Sequence, residues 1–250
     1  MKISICGKGG SGKSTIVTLL ARAAQKKGLK VLVVDSDESN SGLFRMLGFE
    51  GPPLPLMELL GGKAALKKKM NLPNLFEKTE IRIEDIPSPF IKEKDDLMLI
   101  SIGKVLQSLE GCACPMGVLS REFLIKLRLN ENEIAIVDME AGIEHFGRGV
   151  DEAIDKILIS IEPSFESITT AEKIMSLASG MNKKAVAVMN KIPSKKTVKT
   201  LAESLKDDLE ILGVIPYDPL VFEANLEGFA LNKGKAFDEA KKVLEALLRQ

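Results

Sequence analysis

Short runs of valine, isoleucine and leucine recur along the chain, with longer stretches between them that place apolar residues three and four apart. The runs predict strands over Lys2–Cys6, Lys30–Asp35, Leu97–Ile102, Glu133–Asp138, Ile157–Ile161, Ala185–Asn190 and Glu210–Ile215. Most lack strict alternation, the pattern of strands covered on both faces. The helical spacing predicts helices over Ser14–Lys27, Pro115–Leu129, Ser164–Gly180, Thr197–Asp207 and Lys235–Leu248. Strand–helix alternation of this kind implies an α/β fold, a doubly wound, mostly parallel sheet with helices on both faces. Ligands of such sheets bind outside the carboxyl ends of the strands. The stretch 51–96 breaks the pattern with six prolines and the basic run Lys67-Lys68-Lys69. We read it as an elaborated crossover with one short helix near Met57–Met70, inside a single domain spanning residues 1–250. The lysine run reads as a solvated helix face.

Between the first strand and the first helix lies Gly7-Lys8-Gly9-Gly10-Ser11-Gly12-Lys13-Ser14-Thr15. A strand, this glycine-rich turn and a helix are the setting in which G-x-x-x-x-G-K-[ST] defines a P-loop NTPase. Glycine lets backbone N–H groups converge on phosphate oxygens, and the helix N-terminus adds partial positive charge. Lys13 is then expected at the β/γ-phosphates and the Ser14 hydroxyl on Mg²⁺. The run Ile134–Asp138 ends in an acid and continues as Met139-Glu140-Ala141-Gly142. It reads as Walker B entering switch II, with Asp138 holding a Mg²⁺ water and the Gly142 N–H sensing the γ-phosphate.

Composition narrows the picture by exclusion. The 250 residues suffice for one large domain with a sizeable core, and the formal net charge is zero, so no basic footprint invites nucleic acid. No apolar run reaches the roughly eighteen residues of a membrane span. The chain enters its first strand directly after Met1-Lys2, without a signal-type segment, and a cytoplasmic location is expected. Near the C-terminus Phe237, Ala240, Val243, Leu244 and Leu247 form an apolar stripe flanked by balanced charges, which fits a core-packed helix better than a membrane-surface one. With three cysteines and access to cytosolic nucleotide, disulfides are not expected.

The second lysine of the loop, Lys8, changes the class. The pattern G-K-G-G-x-G-K-[ST]-[ST] resembles the deviant P-loop ATPases, among them division-site ATPases, arsenite ATPases and the nitrogenase iron protein. The resemblance implies a homodimer in which Lys8 reaches the partner's phosphates, in the manner of an arginine finger. It also makes Asp35-Ser36-Asp37 switch I, with Asp37 orienting the attacking water and Asp35 a supporting charge. Glu38 stands where those proteins usually carry proline. Asn190-Lys191 resembles the strand-ending pair in which the asparagine meets the adenine edge, an amide offering donor and acceptor side by side. Pro216-Tyr217 resembles the second base-side loop. Pro193 stands where guanine-binding relatives place an aspartate, so ATP is expected.

Gly111-Cys112-Ala113-Cys114-Pro115 lies at a helix entry, where a thiol is favoured as thiolate, the metal-binding form. Two ligands fall short of the four that Zn²⁺ or square-planar Ni²⁺ takes, and two pairs meeting on a dimer axis complete the set. Together with Val137-Asp-Met-Glu-Ala-Gly-Ile-Glu-His-Phe-Gly-Arg-Gly149, this segment resembles the CooC-type ATPases over nearly the whole chain. That resemblance implies nickel (zinc in vitro) held by Cys112 and Cys114 across the dimer. It further implies ATP-coupled insertion into carbon monoxide dehydrogenase or the related acetyl-CoA synthase. Two alternatives stand beside it: an iron–sulfur redox ATPase of the nitrogenase-iron-protein type, although no cysteine follows Cys114, and a membrane-positioning ATPase. Cys6 reads as plain core. His145 reads either as a transit ligand for nickel or as a hydrogen-bonding surface residue, and is left out of the metal site.

Overall fold

The computed structural model describes residues 1–69, 74–104, 114–205 and 209–249. Its strands are β1 (Lys2–Cys6), β2 (Lys30–Asp35), β3 (Lys92–Lys94), β4 (Leu97–Ser101), β5 (Glu133–Asp138), β6 (Lys156–Ile161), β7 (Ala185–Ile192) and β8 (Ile211–Pro216). They form one eight-stranded sheet in the order β3-β4-β2-β5-β1-β6-β7-β8. Every pairing is parallel except that of β3 with β4. The doubly wound sheet is therefore as expected, with a short antiparallel edge strand added. That edge strand is Lys-Glu-Lys and wholly exposed, so no apolar run announces it.

The apolar runs are continuous because each strand feeds two cores. On β2, Leu32 and Val34 join one cluster and Val31 and Val33 the other. The second face is covered by α1 (Lys13–Lys26) and α10 (Lys235–Arg249), which pack against each other. Ile16, Leu19 and Leu20 of α1 and Val243, Leu244 and Leu247 of α10 are buried there. Each such side chain contributes about 1.5–3 kcal/mol by leaving water. The stripe on α10 is thus occupied by the core. On the first face lie α5 (Cys114–Lys126), α7 (Phe165–Gly180) and α8 (Lys195–Ser204), through Phe123, Ile174 and Leu201 among others.

Three of the described helices start on side-chain caps: Ser164 accepts from the Ser167 N–H, Ser194 from the Thr197 N–H and Asp218 from the Leu220 N–H. The crossover 51–96 carries α3 (Leu56–Leu59) and α4 (Gly62–Lys69) where one helix was expected, because Gly61 and Gly62 take positive φ and break the run. Three further helices have no counterpart in the apolar pattern: α2 (Leu43–Met46), α6 (Glu144–Gly147), and α9 (Pro219–Glu227), which has no buried residue. No helix among the described residues is long and apolar enough to cross a membrane.

Candidate functional site

The sheet brings the motifs to its carboxyl edge beside β1, which lies between β5 and β6. Registers place Ile5 opposite Asp138, and Asp138 opposite Asp35, so the ends of β1, β5 and β2 meet. Gly7 adopts φ +142°, and a Cβ there would stand 2.6 Å from the Ser160 carbonyl oxygen of β6. Only glycine lets the loop leave the sheet this closely. Gly12 precedes α1 in the left-handed region (φ +88°) and supplies no side-chain cap, which leaves the first N–H groups of α1 directed at the loop. Lys13 is buried, with Nζ 3.5 Å from the Lys8 carbonyl. Gly9, Gly10, Ser11 and Gly12 complete the turn, Thr15 stands in the first turn of α1, and the buried Ser11 hydroxyl has no hydrogen-bond partner.

Ser14 Oγ donates to Asp138 Oδ2 at 2.6 Å and accepts from Asn40 Nδ2 at 2.7 Å. Asp138 Oδ1 is buried and unpartnered. Burial, reinforced by the nearby Asp35 carboxylate, pushes the Asp138 carboxyl up to about 7. An orphaned buried carboxylate oxygen beside a serine hydroxyl is the donor chemistry of a hard divalent cation, so these residues fit Mg²⁺.

Switch I is tied down by contacts that the sequence reading missed. Asp37 Oδ1 accepts from the Ser39 N–H (2.9 Å), the Ser39 hydroxyl (2.6 Å) and the Asn40 N–H (3.3 Å). It therefore builds a local turn and caps no helix, since α2 starts only at Leu43. Lys104, just beyond β4, donates to Asp35 at 2.8 Å and to the carbonyls of Asp37 and Asn40. Burial still raises Asp35 to about 6. Lysine after a strand's carboxyl end was the only signal for Lys104.

Lys8 folds back within its own chain, with Nζ 2.9 Å from Glu162 Oε1 at the end of β6. Glu162 also pairs with Lys191 at 3.2 Å, and Lys191 donates to the Gly10 carbonyl. The two cations hold Glu162 below the usual carboxylate range against the opposing effect of burial. Gly142 donates its N–H to the Gly7 carbonyl at 3.2 Å, joining switch II to the P-loop.

On the base side, Asn190 donates to the Ser11 carbonyl at 2.8 Å. Thr15, Asn190, Lys191, Pro216 and Tyr217 line one cavity of about 360 Å³ together with Phe222 and Leu226 of α9. The volume is that of a small-ligand site. The residues expected on the base side thus share one cavity with α9, which no apolar pattern marks.

Glu38 of switch I lies against Glu140 of switch II, and Arg148 stands 2.5 Å from Glu140 and 3.9 Å from Glu38. Burial and the Glu140 charge push Glu38 up to about 7. A carboxyl raised in the folded state binds a proton that the unfolded chain has released, so its stabilisation is lost as pH rises from the ordinary glutamate range through about 7. Glu38→Gln is accordingly expected to melt at higher temperature than the parent at pH 8 and to lose that advantage at pH 5. Equal shifts at both pH values would remove the acid pair from the account.

Arg148 also packs on α5, where a Cβ at Gly117 would lie 2.5 Å from Arg148 Cδ. Arg148 thus links Glu140 to the helix that opens at Cys114. Cys114 opens α5 and is exposed. Gly111 and Cys112 lie outside the described residues. His145 is not a surface residue: it is buried in α6 (Glu144–Gly147), paired with Asp151 at 2.6 Å, with Asp151 and Cys6 lining its pocket from beneath the P-loop.

A parallel sheet with a glycine-rich loop leading into α1 and a Ser14–Asp138 pair at its carboxyl edge defines a P-loop nucleotide-binding protein. Residues 3–230 match the CobQ/CobB/MinD/ParA nucleotide-binding domain, and the chain belongs to that family of ATP-binding ATPases. It is 44% identical to an uncharacterized ATP-binding protein of Methanocaldococcus jannaschii, with both chains covered in full. It is 33% identical to the carbon monoxide dehydrogenase accessory protein CooC of Rhodospirillum rubrum, over 100% of this chain and 97% of that one. The fold is that of the septum site-determining protein MinD of Pyrococcus horikoshii, solved with Mg-ADP, with a TM-score of 0.72, 17% identity, and coverage of 98% and 95%.

Proposed function

We propose that the protein is a nucleotide-dependent dimeric ATPase that binds nickel through Cys112 and Cys114 and assists its insertion into carbon monoxide dehydrogenase or a related acetyl-CoA synthase. The observation that carries this reading is the full-length similarity to a carbon monoxide dehydrogenase accessory protein in a chain with a C-x-C pair at the start of α5. ATP is hydrolysed to ADP and phosphate. Lys13 and the loop N–H groups bind the phosphates, Ser14 and Asp138 hold Mg²⁺, and Asp37 positions water. Bound Mg²⁺ supplies charge neutralisation at the phosphates. Lys8 leaves Glu162 to serve the partner's site, and Asn190, Lys191, Pro216 and Tyr217 receive the adenine.

Coupling needs two nucleotide states with different metal affinity. The path from Gly142 through Glu140 and Arg148 to Gly117 of α5 supports such a link, since each member touches the next element.

The test is a Ni²⁺ titration of the reduced protein under anaerobic conditions, following size and absorbance together. One Ni²⁺ per two chains is expected, with thiolate charge-transfer bands that vanish in Cys114→Ser. An iron–sulfur spectrum after reconstitution, or no stoichiometric metal, would leave the ATPase standing and remove the nickel assignment.

A further inference from the structure

Beneath the P-loop, three side chains form a cluster that the nucleotide machinery leaves unused. Cys6 ends β1, His145 lies in α6, and Asp151 lies in the 3₁₀ turn Val150–Ala153. All three are buried, at 0%, 2% and 0% exposure. One donor atom from each, a sulfur, an imidazole nitrogen and a carboxylate oxygen, lies within 4.8 Å of the others. His145 Nδ1 is 2.6 Å from Asp151 Oδ2, while Ser4 Oγ donates to Asp151 Oδ1 at 3.3 Å and lies 3.6 Å from Cys6 Sγ.

His145 Nε2 is buried with no hydrogen-bond partner. Such an atom is costly to bury in a core unless something else occupies it.

We propose that Cys6, His145 and Asp151 bind a thiophilic divalent cation of the Zn²⁺ class, within one chain and apart from the Cys112/Cys114 pair. Thiolate, imidazole and carboxylate are the donor types such a cation takes, at bonds of about 2.0–2.3 Å. Donors around one ion then stand roughly 3–4 Å apart, a spacing these side chains reach by small rotations. The cation takes a lone pair of the neutral imidazole, the Cys6 proton is released as it binds, and Ser4 keeps its hold on the carboxylate. Because Cys6 adjoins Gly7 and His145 follows switch II, an ion here joins the P-loop to the switch. Metal and nucleotide must then alter each other's affinity by the same factor.

The experiment uses the reduced full chain carrying Cys112→Ser and Cys114→Ser, titrated with Zn²⁺ against a chromophoric chelator and, in parallel, with Co²⁺. One Zn²⁺ per chain is expected, with a Co²⁺–thiolate absorption band and proton release on binding. Adding Cys6→Ser should abolish the band, and adding His145→Gln should weaken binding at least tenfold while the band persists. Circular dichroism and nucleotide binding report whether each variant folds; if Cys6→Ser does not, His145→Gln and Asp151→Asn decide. Absence of stoichiometric Zn²⁺ in the folded double variant, or binding that His145→Gln and Asp151→Asn leave unchanged, would overturn the site. Either result is independent of nickel at Cys112 and Cys114, which this background removes.

Discussion

Lys8→Ala should lower ATP hydrolysis by about a thousandfold or more while leaving ATP affinity within a few-fold of the parent. The magnitude is that of a cation delivered to phosphoryl-transfer charge, which is worth about 10³–10⁵ in rate. The lysine needed for this is held by Glu162 in its own chain, in a pair whose members are 33% and 17% exposed. Pairs this open to water are weak, so release of Lys8 toward a second subunit meets little resistance. Lys191 remains on Glu162 when Lys8 departs, which prevents an uncompensated carboxylate beside the incoming phosphates. Single-turnover hydrolysis and nucleotide binding, measured separately, check the prediction. A variant that hydrolyses within tenfold of the parent would show that Lys8 is a solvated loop residue.

Asp138→Asn is expected to cost roughly 10–100-fold in Mg²⁺-dependent nucleotide affinity, the usual effect of removing a partner that orients metal ligands. The carboxyl sits fully buried between Ser14 and Asp35, with one oxygen unpartnered, and burial raises it to about 7. Without a cation the charged form is disfavoured; with Mg²⁺ alongside it is the favoured one. The amide has the same shape and cannot take the charge, so the fold should survive while the metal term disappears. Nucleotide titrations with Mg²⁺ and with a chelator give the answer. Equal Mg²⁺ dependence in both proteins would remove Asp138 from the metal site.

Much of this site was legible because its parts are local. Lys13, Ser14 and Asp138 each follow directly on an apolar strand or open a helix, and strand and helix periodicity placed them at one edge of the sheet. Of the seven expected strands, Lys2–Cys6, Lys30–Asp35 and Glu133–Asp138 match the structure to the residue, three differ by one or two residues at one end, and the last is shifted by one residue at both ends. The elements that went unread carry weak patterns: β3 is three charged residues, and α9 buries no side chain. Cys6 read as core and is core, but its neighbours His145 and Asp151 were invisible as partners.

The sequence by itself determined the kind of fold and the nucleotide loop, since both rest on short-range periodicity and on glycines fixed at one turn. It also marked the C-x-C segment, whose chemistry is carried by neighbouring residues. Only the tertiary structure decided which groups neutralise one another. Lys8 meets Glu162 across 154 positions, Lys104 meets Asp35 across 69, and Ser4 meets Asp151 across 147. These meetings follow from strand order, which sets which carboxyl ends lie side by side. Strand order comes from how two apolar faces are covered by helices, a property of the packed whole that no local run of residues encodes.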